Sequence, residues 1–418
     1  MDKFNLNKNI MIGQSGGPTV AINASLAGII NAAALSGLKG KIYGLINGIS
    51  GLMEDRFIDL SGFMTARNNL NKLTTSPAMF LGSCRYKLPK AEDNEEVYKT
   101  LFKKFDDMNI GAFFYIGGND SMDTAAKLSA YAEKIGSDVC FIGVPKTVDN
   151  DLCEIDHTPG FGSAAKYIAT TVKEIVYDTS IYRQDKVTII EVMGRNAGWL
   201  TAAAALARTG DVPIPQFIYL PETVFDKDKF IKDIEEELTK HNNVVVCVSE
   251  GIKDHEGNYI AATGGKGDGF GHVQLAGAGK VLENLVKERL GIKCRAVEIN
   301  ISQRCAGHLC SKMDIDEAYD LGIFAYSLYR SGMTGVLSSM RRIPGDEYHT
   351  EYYAADVSKA ANGEKKIPLE WIDIENADVK QEMIDYIKPL IQGEVPVNYV
   401  DGLPDYIDIS HLIPAVNK

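Results

Sequence analysis

Residues 112–135 read AFFYIGGNDSMDTAAKLSAYAEKI. The apolar run Ala112–Ile116 has the length and composition of a buried strand. Gly117-Gly118-Asn119-Asp120-Ser121 follows, and then an alanine-rich stretch to Ile135 predicts a helix. Strand, glycine turn and helix form the repeating unit of a parallel sheet. The pattern recurs on both sides. Ile10–Ile12 leads through Gly13-Gln14-Ser15-Gly16-Gly17-Pro18-Thr19 into an alanine-rich helix ending near Gly37. Val139–Val144, Val187–Val192, Val244–Val248 and Cys294–Ile299 read as further strands. Helices are predicted at Ser163–Tyr177, Ala197–Arg208, Lys227–Lys240, Val273–Leu290 and Asp316–Tyr329. The chain after about Ile343 is more polar, carries Tyr348, Tyr352 and Tyr353, and is expected to be an accessory helical region without chemistry of its own.

A chain of 418 residues exceeds one small domain, so two closely packed lobes are expected. Hydrophobic residues make up 45% and charged residues 24%, which suits a globular protein and excludes a disordered one. The net charge of −12 argues against nucleic acid as a partner, because a phosphate backbone needs a basic surface. It leaves room for a small phosphate ligand in a locally positive pocket. Seven cysteines form no CxxC pair, and the Cys305–Cys310 stretch around His308 lacks zinc-ligand spacing, so buried free thiols are expected. No run approaches 18 apolar residues and the first ten residues carry no apolar signal core, so no membrane contact and a reducing, cytoplasmic location are expected.

The chemically unusual segments all follow strands, where ligands of open α/β sheets bind. Gly16-Gly17 lets main chain approach a phosphate, although alone it equally describes a tight turn. It is neither GxGxxG nor GxxxxGK[ST], which removes the dinucleotide and Walker readings; Gly264–Gly271, followed by Gly279-Lys280-Val281, also fails as a Walker loop. In Gly117–Ser121 a carboxylate and a carboxamide at a helix start either bind Mg²⁺ or cap the helix. Pro145-Lys146-Thr147-Val148-Asp149-Asn150-Asp151 sets two acids two residues apart behind a lysine and a threonine. So dense a cluster calls for a cation, a phosphate or a substrate, with one Asp free to take a proton and the other to help hold Mg²⁺.

These motifs, with Thr158-Pro159-Gly160-Phe161-Gly162-Ser163 and Met193-Gly194-Arg195 after them, occur in the order and spacing of the phosphofructokinase family, which the chain resembles from about residue 10 to 345. The resemblance implies two Rossmann-like α/β lobes, with mainly parallel sheets sandwiched by helices and the active site in the cleft between them. It divides the chain into a donor lobe (1–158 with about 305–345), a sugar-phosphate lobe (159–304) and a C-terminal region (346–418).

The resemblance also implies roles. Asp149 would be the base for the sugar 1-hydroxyl, Thr147 would position the reacting phosphoryl group, and Asp151 would assist through Mg²⁺. Gly16, Gly17, Arg85, Gly118 and Ser121 would hold the donor phosphates. Val148, Met193, Gly194, Arg195 and Glu250 would meet the sugar, while Arg295 and Arg304 would hold its 6-phosphate. Lys186 and Arg295 match positions that reach in from a neighbouring subunit, which implies a homodimer or homotetramer with shared sites. In ATP-using members the positions of Asp120 and Lys146 are commonly glycine. A carboxylate and an ammonium there imply pyrophosphate as donor, with fructose 6-phosphate as acceptor, in a reversible step of glycolysis or gluconeogenesis.

Three positions depart from the family pattern: Asn119 stands for a metal-ligating Asp, Lys186 for an Arg and Ile301 for a phosphate-binding His. The metal set is then Asn119, Asp120 and Asp151, and sedoheptulose 7-phosphate becomes a possible second acceptor. The competing readings are an ATP-dependent enzyme, a non-catalytic regulatory subunit or sugar-phosphate sensor, and a dinucleotide oxidoreductase, which lacks GxGxxG.

Overall fold

The computed structural model describes residues 4–63, 67–181, 183–209, 213–263, 275–345 and 347–413. Strands β1 (Asn9–Gln14), β2 (Ile42–Leu45), β3 (Phe57–Asp59), β4 (Ile110–Gly117) and β5 (Cys140–Pro145) come first in the chain. β6 (Lys186–Val192), β7 (Phe217–Tyr219), β8 (Asn243–Ser249) and β9 (Lys293–Glu298) follow, then β10 (Val336–Ile343) and β11 (His349–Asp356). Two sheets result. The larger runs β11-β10-β5-β4-β1-β2-β3 and the smaller β9-β6-β8-β7. The smaller sheet is parallel throughout, and only β3 and β11, at the two edges of the larger one, run antiparallel to their neighbours.

Strands β1, β4 and β5 were legible because the centre of the larger sheet is buried on both faces. Ile10 and Ile12 of β1 pack on one side with Phe114, Tyr326 and Tyr329, while Met11 packs on the other with Phe102, Phe105 and Phe113. Each large apolar side chain so buried contributes about 1.5–3 kcal/mol, which makes these two layers the main source of the lobe's stability. Helices α1 (Ile22–Leu35), α2 (Glu95–Asp107), α3 (Asn119–Ile135), α4 (Phe161–Ser180), α5 (Trp199–Ala202), α6 (Lys227–Leu238), α7 (Ala278–Leu290) and α8 (Lys312–Arg330) cover the sheets. α1 and α8 cross at two glycines. A Cβ on Gly28 would sit 2.0 Å from the Tyr319 carbonyl oxygen, and one on Gly322 would sit 2.2 Å from that of Ser25.

Two expectations need correction. The helix foreseen over Ala197–Arg208 is one short α-turn, α5, continued by a 3-10 segment at Ala203–Ala207. The chain after residue 345 is not chiefly helical: β11 completes the larger sheet, and short helical turns and two small hairpins follow it. β11 escaped notice because HTEYYAAD lies on an edge with one face wet, so its polar residues hide the strand period. The glycine-rich stretch Gly264–Gly271 lies outside the described residues.

Candidate active site

Register brings the chemical segments together. In the larger sheet Gln14 of β1 lies level with Ile116 of β4, and Gly117 of β4 with Pro145 of β5. The loops Ser15–Pro18, Gly118–Ser121 and Lys146–Asp151 therefore leave the sheet side by side. In the smaller sheet Val192 of β6 pairs with Ser249 of β8, which sets Met193–Arg195 beside Glu250. The Gly194 amide donates to Glu250 Oε1 at 3.3 Å, and the Ser249 hydroxyl donates to the Gly194 carbonyl. A cavity of about 400 Å³ opens where these loops meet.

Gly16, Gly17, Arg85, Gly118, Asn119, Asp120, Ser121, Lys146, Thr147, Val148, Asp149, Asp151, Met193, Arg195, Glu250 and Arg304 all line this cavity. Gly194 sits behind its wall through the bond to Glu250. Lys186 and Arg295 do not line it. They lie on the neighbouring strands β6 and β9, where Lys186 pairs with Lys293 and Arg295 with Thr188; Arg295 borders a second hollow against α4, lined by Glu174 and Asp178. Asn196, Ala197 and Glu364 also reach the main cavity, and no motif pointed to them.

Gly16 adopts φ +84°, a conformation that favours glycine, and its amide-rich turn packs against Lys146. The Lys146 side chain is 1% exposed, and its Nζ donates to the Gly17 carbonyl at 2.6 Å. Burial pushes this ammonium down to about 7, against the attraction of Asp149 and Asp151. Helix α3 begins at Asn119 with Gly118 as N-cap and no side-chain cap, so the capping role open to Ser121 or Asp120 is not taken. An uncapped helix start facing a cavity favours an anion there.

The Lys146–Asp151 loop is held from beneath by Asn150. This residue is fully buried and left-handed (φ +53°), and its Oδ1 accepts from the Thr158 amide at 3.0 Å and the Thr158 hydroxyl at 3.2 Å. Its Nδ2 donates to the Tyr386 hydroxyl at 2.9 Å. Asp149 and Asp151 consequently face the cavity, and the Asp149 amide donates to Thr147 Oγ1 at 3.1 Å. Burial raises the Asp149 carboxyl, and the Glu250 charge raises it further, while Lys146, Arg304 and Arg195 draw it down. Burial and the charge of Asp149 push Asp151 up to about 7. Glu250 is raised chiefly by burial. Three carboxyls with raised pKa among three cationic side chains suit proton transfer beside a polyanion.

The donors available for a cation are specific. Asn119 Nδ2 donates to Asp151 Oδ2 at 3.1 Å, and Asn119 Oδ1 is buried with no partner. Among the described residues no group of three or more His, Cys, Asp or Glu stands ready for a metal. An amide oxygen beside one or two carboxylates fits a hard ion that takes its remaining ligands from water and phosphate.

The family model for phosphofructokinase matches residues 9–328. The chain belongs to the phosphofructokinase family. A pyrophosphate--fructose 6-phosphate 1-phosphotransferase of Methylococcus capsulatus is 38% identical over 408 residues, 97% of this chain and 96% of that one. Its counterpart in Xanthomonas campestris is 39% identical over 98% of both chains. The crystal structure of the pyrophosphate-dependent phosphofructokinase of Nitrosospira multiformis superposes with a TM-score of 0.86 at 38% identity, covering 96% of each chain. The two-lobe α/β architecture of this phosphofructokinase and its membership thus agree with the motif order read from the sequence.

Proposed function

We propose that this phosphofructokinase transfers a phosphoryl group from pyrophosphate to the 1-hydroxyl of fructose 6-phosphate, reversibly, in glycolysis or gluconeogenesis. The observation that carries the donor choice is Lys146. Its ammonium is sealed against Gly17 in the wall of the cavity, within the attraction of Asp149, and the exposed Asp120 lines the same cavity. A nucleotide's α-phosphate would meet the Asp120 carboxylate, whereas the compact charge of pyrophosphate needs no space beyond Lys146.

Asp149 accepts the proton of the sugar 1-hydroxyl as that oxygen attacks the nearer phosphorus. The bridging P–O bond breaks, and orthophosphate leaves with the electron pair. A positioned base contributes about 10²–10⁴-fold, and alignment and charge neutralisation supply most of the rest. Thr147 orients the transferred group, Lys146 and Arg85 offset charge on the donor phosphates, and Arg304 holds the sugar's 6-phosphate. Pyrophosphate entering beside Lys146 supplies the negative charge that burial withholds and favours its ammonium form. Glu250 and the Met193–Arg195 loop hold the sugar.

Asn119 Oδ1 and the carboxylates of Asp151 and Asp120 are the groups that would hold Mg²⁺. When bound, Mg²⁺ neutralises charge on the donor's phosphate oxygens. The donor loops fall to a lobe of residues 1–158 with about 305–345 and the sugar loops to one of 159–304, although β11 extends the larger sheet beyond that donor bound. Lys186 and Arg295, away from their own cavity, would act in the site of a second subunit of a homodimer or homotetramer. Purified protein assayed with fructose 6-phosphate and Mg²⁺ should turn over pyrophosphate far faster than ATP. Preference for ATP would end the donor assignment, and sedoheptulose 7-phosphate belongs in the same assay as a second acceptor.

A further inference from the structure

The chain beyond β11 returns to the cavity. Residues 363–367 form a strap across the back of the Lys146–Asp151 loop, and three main-chain bonds pin it. The Lys365 amide donates to the Asp151 carbonyl at 2.7 Å, Trp199 Nε1 donates to the Lys365 carbonyl at 3.0 Å, and the Ile367 amide donates to Glu222 Oε1 at 3.3 Å. Asp151 belongs to a loop of the larger sheet, whereas Trp199 and Glu222 follow strands β6 and β7 of the smaller one. The strap therefore ties the catalytic loop to the opposite lobe.

The Lys365 side chain runs beneath that loop. Its Nζ donates to the Asp156 carbonyl at 2.6 Å, to Asn150 Oδ1 at 3.2 Å and to the Ile155 carbonyl at 3.4 Å, and it lies 5.5 Å from the centre of the Trp199 ring. One residue thus grips Asn150, which stands between the proposed catalytic pair, through its side chain, and Asp151, a member of that pair, through its main chain. Asn150 is also the left-handed hinge whose conformation decides where Asp149 points.

We infer that Lys365 is a positioning residue for phosphoryl transfer: its ammonium and amide fix the Asn150 hinge, and so hold Asp149 and Asp151 towards the reacting atoms. The inference rests on the reading of Asp149 as base. Lys365 does not line the cavity, so its loss misaligns the base while leaving the lining side chains in place. Misplacement of a catalytic group by about 1 Å costs on the order of 10²-fold.

The test is Lys365→Met in the full chain, assayed with pyrophosphate, fructose 6-phosphate and Mg²⁺. The variant should fold, because the Asp156 carbonyl keeps the Tyr386 hydroxyl at 2.7 Å and Asn150 Oδ1 keeps Thr158. Expected is a fall in kcat of about 10–100-fold, with both KM values within about threefold, and partial recovery of kcat in Lys365→Arg. A folded K365M with kcat near wild type overturns the inference, as does a rise in KM at unchanged kcat. If K365M does not fold, Lys365→Gln is read in the same way; failure of both to fold would leave Lys365 a purely structural role and overturn it too. Asp149→Asn is assayed in parallel. Full activity there removes the base reading itself, whereas an inactive D149N beside a fully active K365M removes only the role of Lys365.

Discussion

Lys146 Nζ lies 2.6 Å from the carbonyl oxygen of Gly17, joining the loop after β5 to the loop after β1 across the donor end of the cavity. The lysine so placed both fills space and supplies charge. Its removal together with that of Asp120 tests the donor assignment. Asp120→Gly/Lys146→Gly should gain measurable turnover with ATP and lose about 10²–10³-fold in kcat/KM with pyrophosphate, the cost of one charged donor at a transition state. Side-by-side initial rates with the two donors decide it, and an unchanged preference for pyrophosphate would refute the role of both residues.

Asp149→Asn keeps the shape of the base and removes its ability to take a proton. We expect kcat to fall by about 10²–10⁴-fold, with pyrophosphate still bound. Steady-state kinetics alongside calorimetric titration of pyrophosphate separates the two quantities.

Glu250 raises the Asp149 carboxyl by its charge, second only to burial. A base with a raised pKa is active only once the pH exceeds it. Glu250→Gln removes one negative neighbour, so ionised Asp149 becomes easier to form and the acidic limb of kcat/KM should move to lower pH. A pH–rate profile of E250Q whose acidic limb stays in place would contradict this coupling.

Asp151 is pushed up from 3.8 to about 7 in the folded chain. Between those values the folded protein holds a proton that the unfolded chain has released. Stability from this group is therefore lost as pH rises through that window. Asp151→Asn cannot ionise. Without metal or pyrophosphate it should melt a few degrees above the wild type at pH 8, and the gap should narrow markedly by pH 5, while its activity falls. Thermal melts at the two pH values check the sign.

Arg295 faces away from its own cavity. If it serves a partner's site, Arg295→Ala and Asp149→Asn are defects in different halves of one shared site. Mixing the two inactive variants through a cycle of dissociation and reassembly should restore activity that neither has alone. A mixture that stays as inactive as its parents would refute shared sites.

The sequence made the Lys146–Asp151 run legible because charges so dense have no place in a plain turn, and strand register then carried it to Gly16 and Gly118. The run could not reveal what holds it. Asn150 reads as an ordinary turn residue, and only the fold makes it a buried hinge. Lys365 and Glu364 stand more than two hundred residues from the loop they meet, in a polar stretch without periodicity. Nothing local distinguishes them from a solvated tail. Strands β10 and β11 escaped for a related reason: Arg341 and Arg342 sit within β10, and β11 alternates polar with aromatic residues against solvent.

Strand β10 pairs with β5 through Val336 with Ile142 and Leu337 with Gly143, and β11 then covers β10 along eight residue pairs. A polypeptide ending after α8 would leave β5, which is apolar along most of its length, with a bare row of amides and carbonyls. Such an edge recruits strands from other molecules, so shortening the protein there should give insoluble aggregates in place of a smaller enzyme.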